Sequence, residues 1–329
     1  MILAGDIGGT KTNVALFEVT DGNLSAPMAQ KSFPSGKYDS LDKILEEFIA
    51  ENHPQVTHAC FGIAGPVVEG RVETPNLAWI ISDKTLAQTI GVERVGLIND
   101  LEATAHGIET LKDSQLFTLN EGEGRRAGHR GLIAAGTGLG MAGIFWDGQD
   151  YHPIASEGGH MDFAPRNEIE IELLRYLTEK FNGHVSYERA LSGPGLFNIY
   201  NFLRDQNFAE EPDWLAAEIN SGDKTAAVSK AALSGKSELA REALDMFVEI
   251  YGAMAGNLAL LMKATGGLFI GGGIAPKLLD KLKDGAFMSA FKDKGRLSSL
   301  VASVPVYVIL DDKTALYGAA RCASKQRVG

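Results

Sequence analysis

Asp100 follows Asn99 at the end of an apolar run, residues 95–98. A carboxylate at a strand's exit can accept a proton from a hydroxyl nucleophile, or it can cap the helix that begins near Leu101. Both roles need the same exposed position, and the local sequence supports both. A second group lies in Ser156-Glu157-Gly158-Gly159-His160-Met161-Asp162-Phe163, where two glycines let the chain bend sharply and draw Glu157, His160 and Asp162 together. Such a cluster suits a metal or a polyol. With one histidine and no cysteine it is a poor zinc site, whereas sugar hydroxyls want partners that accept and often donate. The plain alternative is an exposed loop with incidental charges.

Two glycine-rich segments add anion chemistry: Leu3-Ala4-Gly5-Asp6-Ile7-Gly8-Gly9-Thr10-Lys11-Thr12-Asn13 and Ile133-Ala134-Ala135-Gly136-Thr137-Gly138-Leu139-Gly140-Met141-Ala142. Each has an apolar run, then glycines with a threonine, then a second apolar run. That order reads as a β-hairpin whose turn can take positive φ and bring bare N–H groups against a phosphate. Residues 5–12 would be a Walker A sequence if position 10 were glycine. The β-favouring Val14, Leu16, Phe17 and Val19 that follow, with a turn at 21–23, make a hairpin and exclude the helix a P-loop needs. A third approach of backbone to ligand is expected where the strand at 267–270 opens onto Gly271-Gly272-Gly273, with a helix starting near Pro276.

These groups require a scaffold of alternating strands and helices. Leu41, Ile44, Leu45, Phe48 and Ile49 share one face of a helix over 41–51 that Ser40 caps. Buried strands follow at 59–64, ended by Gly65-Pro66, and at 95–98. The polar stretch 120–130 separates this series from a second one that opens on the second glycine hairpin. There Asn167 caps a helix over 168–181 with Ile169, Leu173, Leu174, Leu177 and Phe181 inward, and helices span 214–263, the last a central core element. A strand at 304–310 and a helix at 314–324 close the chain and are expected to cover the first domain. The recurrence suggests an internally duplicated architecture with ligand between halves.

The chain has 329 residues, 45% hydrophobic and 22% charged, ordinary for a globular protein with room for two cores. A net charge of −11 argues against a nucleic-acid surface, which needs clustered positive charge. No run approaches the roughly 18 uncharged apolar residues of a membrane span, and Met1 leads directly into a strand, so a cytoplasmic protein is expected. Cys60 and Cys322 are too few and too scattered for a disulfide framework or structural zinc.

Taken together, Gly5-Asp6-Ile7-Gly8-Gly9-Thr10, Ile98-Asn99-Asp100, Gly136-Thr137-Gly138-Leu139-Gly140, Glu157-Gly158-Gly159-His160-Met161-Asp162-Phe163, His184-Val185-Ser186-Tyr187-Glu188-Arg189, Leu191-Ser192-Gly193-Pro194-Gly195 and Phe269-Ile270-Gly271-Gly272-Gly273-Ile274 resemble the bacterial glucokinases of the ATP-dependent, zinc-free type. The glutamate-histidine and serine-glycine-proline segments are specific to that group. A related sugar-kinase family carries a cysteine-histidine zinc motif after its substrate histidine, and this chain lacks it.

The resemblance implies two actin-like (ribonuclease H-like) α/β ATPase domains flanking a central cleft, residues 1–110 with 312–329 and residues 111–311. It implies glucose contacts from Asn99, Asp100, Glu157, His160, Glu188 and Gly138, with Asp100 the general base and Asn76 a further contact. ATP would lie on Gly5, Asp6, Ile7, Gly8, Gly9, Thr10, Gly136 and Thr137, with adenosine around Gly271, Gly272 and Gly273. Asp6 would orient hydrated Mg²⁺. A homodimer, closure on glucose about hinges near residues 110 and 310, and no membrane or nucleic-acid partner complete the expectation. A kinase for another hexose or amino sugar is the nearer rival reading. A sugar-responsive regulator of the same fold is the more distant one.

Overall fold

The computed structural model describes residues 1–20, 23–74, 77–124 and 126–325. Asn76 and the Asp21-Gly22 turn expected from the sequence lie outside the described residues. The chain forms two compact units, Met1–Gln115 with Tyr151–Ala155 and Asp311–Gly329, and Leu116–Asp150 with Ser156–Leu310.

The first sheet contains β1 (Ile2–Ile7), β2 (Lys11–Phe17), β3 (Ala29–Pro34), β4 (His58–Ile63) and β5 (Val95–Asn99), in the order β3-β2-β1-β4-β5. β1 and β2 are the expected hairpin, with Asp6 opposite Asn13 and Ile7 opposite Thr12, whereas β4 and β5 run parallel to β1. The second sheet contains β6 (Leu116–Asn120), β7 (Arg130–Ala135), β8 (Leu139–Trp146), β9 (Tyr151–Ser156), β10 (Gly267–Gly271) and β11 (Val306–Ile309), in the order β6-β11-β10-β7-β8-β9. Numbered from its own first hairpin strand, each sheet reads 3-2-1-4-5, and the second adds β6 at one edge. The duplication suggested by the two glycine segments is therefore a repeated strand order, an antiparallel hairpin extended by parallel strands.

Helices cover these sheets as their apolar periods dictate. α1 (Leu41–Asn52) buries Leu41, Ile44, Leu45 and Phe48 in the core that also holds Leu3, Val14 and Phe61, and the Ser40 side chain accepts from Lys43 N–H. α2 (Asp100–Gly107) packs on α9 (Thr314–Lys325), which lays Leu316, Ala319, Ala320 and Ala323 over Ile2, Ala4 and Cys60. This is the covering role foreseen for the last helix.

Around the second sheet stand α3 (Glu168–Phe181), α4 (Gly193–Asp205), α5 (Asp213–Ser221), α6 (Lys224–Leu233) and α7 (Glu238–Met262). α3 spans the foreseen residues and Asn167 caps it through Glu170 N–H. Its buried face is Glu170, Leu173 and Leu177, whereas Ile169 is 37% exposed. Glu170 is tolerated inside because its carboxylate meets the Arg166 guanidinium and backbone N–H. By length and mean hydropathy α7 is apolar enough to cross a bilayer, although Asp245 and Glu249 keep its uncharged run short of a span, as the sequence reading has it. Its apolar residues instead form the spine of the larger core, with Phe247 and Tyr251 fully buried. The helix expected near Pro276 is a single 3₁₀ turn, Ala275–Leu278, running into Leu279–Leu282.

Candidate active site

In the first unit, strand register sets the site. Ile7 is aligned with Ile63 and Ile63 with Asn99, so β1, β4 and β5 leave the sheet at one level. Ligands of α/β sheets bind at this carboxyl edge. Asn99 is the N-cap of α2: its Oδ1 accepts from Leu101 N–H at 2.9 Å, and its Nδ2 donates to the Gly65 carbonyl at 3.1 Å. Asp100 Oδ1 accepts from the same N–H at 2.9 Å. The cap foreseen at Asp100 thus falls to Asn99, one residue earlier. Asp100 is instead the first helical residue, partly exposed, where the helix dipole favours a carboxylate.

Asp6 lies on β1 beside this group. Asn13, directly across the hairpin, donates from Nδ2 to Asp6 Oδ2 at 3.3 Å, and Ser32 of β3 donates to Asn13 Oδ1 at 2.6 Å. The serine hydroxyl thereby fixes which end of the amide faces Asp6. Burial, with a smaller contribution from the Asp100 charge, raises the Asp6 carboxyl from 3.8 to about 6 despite that hydrogen bond. Anionic Asp6 is short of positive charge, and a hydrated cation would supply it. Among the described residues no cluster of three or more His, Cys, Asp or Glu forms a cage. One or two carboxylates plus substrate phosphates is how Mg²⁺ is commonly held, so Asp6 fits that ion.

The loop Gly8-Gly9-Thr10 between β1 and β2 is closed by Gly8 N–H to the Lys11 carbonyl at 3.0 Å. Gly8, Gly9, Gly136 and Gly138 do not use the left-handed backbone open to glycine. Space favours glycine at two nearby positions, though not at Gly136, where an added β-carbon would meet nothing within 4 Å. A β-carbon on Gly5 would stand 2.6 Å from the Phe61 ring, and one on Gly138 would stand 2.6 Å from Glu188 Oε2.

In the second unit, Gly138-Leu139 is gripped from two sides. Glu188 Oε2 accepts from Leu139 N–H at 2.9 Å, and the turn Gly158–His160 backs onto the Leu139 carbonyl, 1.9 Å from where a Gly159 β-carbon would sit. Glu157, His160 and Glu188 are thereby grouped around the start of β8, with Glu157 and His160 exposed and Glu188 partly so. Asp162, expected with them, pairs with His184 Nε2 at 2.7 Å.

The hairpin turn at Gly136-Thr137 has two further neighbours. Gly193 N–H, at the start of α4, donates to the Gly136 carbonyl at 2.8 Å, and Ser192 caps α4 through Gly195 N–H at 3.0 Å. On the other side Gly271 is aligned with Ala134, Ile274 N–H donates to the Ala135 carbonyl at 3.3 Å, and left-handed Gly272 backs onto the same peptide. The second glycine hairpin, the serine-glycine-proline segment and Gly271-Gly272-Gly273 are therefore neighbours. Sequence reasoning missed Asn13 and Ser32. The hairpin register that sets Asn13 opposite Asp6 was the available signal for the first, and nothing local marks the second.

A repeated 3-2-1-4-5 sheet with a glycine hairpin at the head of each copy is the actin-like ATPase fold, which solved sugar kinases share. A solved glucokinase from an Antarctic psychrotroph shares this fold, with a TM-score of 0.86 and 31% identity over 98% of both chains. A glucokinase from Balamuthia mandrillaris solved with glucose aligns at a TM-score of 0.80 and 20% identity, over 98% of this chain and 93% of that one. The chain belongs to the glucokinase family: the family model described as Glucokinase matches residues 3–326. The glucokinase of Nostoc punctiforme is 42% identical over 99% of both chains, and that of Hahella chejuensis is 34% identical over 99% of this chain and 98% of its own.

Proposed function

We propose that this ATP-dependent glucokinase transfers the γ-phosphoryl of MgATP to the 6-hydroxyl of glucose, with Asp100 accepting the hydroxyl proton. The observation that carries the assignment is the place of Asp100: at the carboxyl edge of the parallel strands, partly exposed, level with the end of β1 that leads into the loop at 8–10. Asn99, held by Gly65 and Leu101, offers a fixed amide to the sugar. Glu157, His160, Glu188 and the bare backbone at Gly138 supply the remaining sugar contacts. Glu157 and Glu188 accept from hydroxyls, and His160 donates or accepts according to its tautomer.

Phosphoryl transfer asks a protein chiefly for positioning and charge stabilisation. The turns at Gly8-Gly9-Thr10 and Gly136-Thr137 offer N–H groups to phosphate oxygens, flanked by Gly5, Asp6 and Ile7 on the first strand. Gly271, Gly272 and Gly273 are assigned to adenosine, and an added β-carbon at Gly273 would meet nothing within 4 Å. Asp6 would hold hydrated Mg²⁺, which would supply charge neutralisation to the transferring group when bound. A cytoplasmic homodimer is part of the proposal.

Asp100→Asn tests the base directly. Because Asn99 already caps α2, the substitution leaves that cap in place and keeps side-chain size. Turnover should fall about 10²- to 10⁴-fold, the usual range for losing a general base, while glucose binding and melting temperature stay near wild type. Near-normal turnover would sink the assignment.

A further inference from the structure

We infer that Ser35, which no local motif marks, is a positioning residue for the nucleotide's phosphates. The inference rests on the proposed reading of Gly8-Gly9-Thr10 as a phosphate loop. Ser35 begins a short 3₁₀ turn after β3 and is wholly buried, as is Thr12. Its hydroxyl donates to the Gly8 carbonyl at 2.7 Å, and its own N–H donates to the Thr10 carbonyl at 3.1 Å. One residue, 27 positions from Gly8 in the chain, thus holds the carbonyls on both sides of the loop tip.

The third contact completes the set. Thr12 Oγ1 and Ser35 Oγ are 3.0 Å apart. Since the single serine proton is given to Gly8, Thr12 donates and Ser35 accepts. Every hydrogen-bonding capacity of the Ser35 hydroxyl proton and backbone N–H is spent on the loop or its flanking strand.

The consequence is electrostatic. A phosphate is repelled by carbonyl oxygens and attracted by N–H groups, so a loop that binds it must turn its carbonyls away. Ser35 draws the carbonyls of residues 8 and 10 inward. Among the described residues no protein acceptor takes the N–H of Gly9 or Thr10, so these two donors remain for an anion. Glycines at 8 and 9 leave the peptides free to rotate, and Ser35 selects the rotation that suits phosphate.

Ser35→Ala removes the hydroxyl and leaves a buried carbonyl at Gly8 without its partner. The peptide should reorient, and KM for ATP should rise about 5- to 100-fold, in line with the loss of one buried hydrogen bond, while KM for glucose stays within about twofold. The dissociation constant for ATP without divalent cation, measured by calorimetry on the full chain, should weaken in parallel. A structural control is Ser237→Ala, which removes another buried hydroxyl cap, at Ala240 N–H, in the other unit. It should lower the melting temperature without altering the ratio of the two Michaelis constants. Ser35→Ala that lowers the melting temperature yet leaves the ATP constants unchanged would overturn the positioning role. Gly8→Val, which crowds the loop itself, separates the two levels of the argument. If it too leaves ATP binding unchanged, the phosphate-loop reading is wrong; if it weakens ATP binding while Ser35→Ala does not, only the role of Ser35 fails.

Discussion

At the scale of single residues, the informative contrast is between Asp6 and Asp100, two carboxylates on one sheet edge. Asp6 is held above its ordinary range, at about 6, chiefly by burial and secondarily by the Asp100 charge. A carboxyl raised in the folded state contributes stability that is intact below its unfolded value near 3.8 and is lost as pH rises through about 6. In metal-free buffer at pH 8 the folded protein therefore carries a penalty of at most about 3 kcal/mol, taking 1.36 kcal/mol per pK unit. Asp6→Asn should raise the melting temperature of the free protein at pH 8, and the gain should shrink toward pH 4. Its activity should fall at the same time. A gain in melting temperature that is the same at both pH values would show that burial of the charge is not its source.

The residue scale also shows where sequence reading stops. Asp100 and Asn99 were legible as a polar pair at a strand end, yet which of them caps α2 turns on backbone conformation: Asn99 is extended and Asp100 is already helical. Ser32 and Ser35 carry no motif at all. Their roles arise from β3 lying alongside β2, a pairing in which Asn13 is opposite Ser32 and which no local pattern dictates.

At the scale of elements, the hairpins, the strand ends at Ile63 and Asn99, and the capped helices α1 and α3 were legible because period and capping residues agree. Ile169 was misplaced on the buried face of α3, since an amphipathic stripe read from hydrophobicity alone cannot foresee that Glu170 goes inside with Arg166 as partner. The glycine turns were right in place, but they do not use the left-handed backbone open to glycine, and close packing accounts for Gly138 and not for Gly136.

The same physics governs α2 and α9. A β-carbon on Gly318 would lie 1.7 Å from the Ala103 carbonyl, so these helices meet backbone to backbone. Gly318→Ala should force them apart and cost about 1 to 3 kcal/mol, the usual range for overpacking, lowering the melting temperature by several degrees. Gly36→Ala, where an added β-carbon meets nothing within 4 Å, should leave it unchanged. Equal melting temperatures for the two variants would contradict the tight contact. Because α2 begins at Asp100, Gly318→Ala should also reduce turnover more than it weakens ATP binding.

At the scale of the whole molecule, one strand order is used twice, with core on both faces of the first sheet and a larger core in the second unit, and a glycine hairpin stands at the head of each sheet. The carboxylate pair stands on the first copy, and the Glu157, His160 and Glu188 group stands on the second. The repeated hairpins were legible in the sequence. The partner strands that complete each sheet were legible only in part, because β3 and β6 lack a strong period. The central claim belongs to the intact chain: MgATP and glucose go to ADP and glucose 6-phosphate. Phosphorus-31 NMR of the purified full-length protein with MgATP and glucose measures it most directly. One new phosphomonoester, identified as glucose 6-phosphate and equal in amount to the ADP formed, is the predicted result. ADP accompanied only by free phosphate, or faster ester formation with mannose, fructose, galactose or N-acetylglucosamine than with glucose, would contradict it.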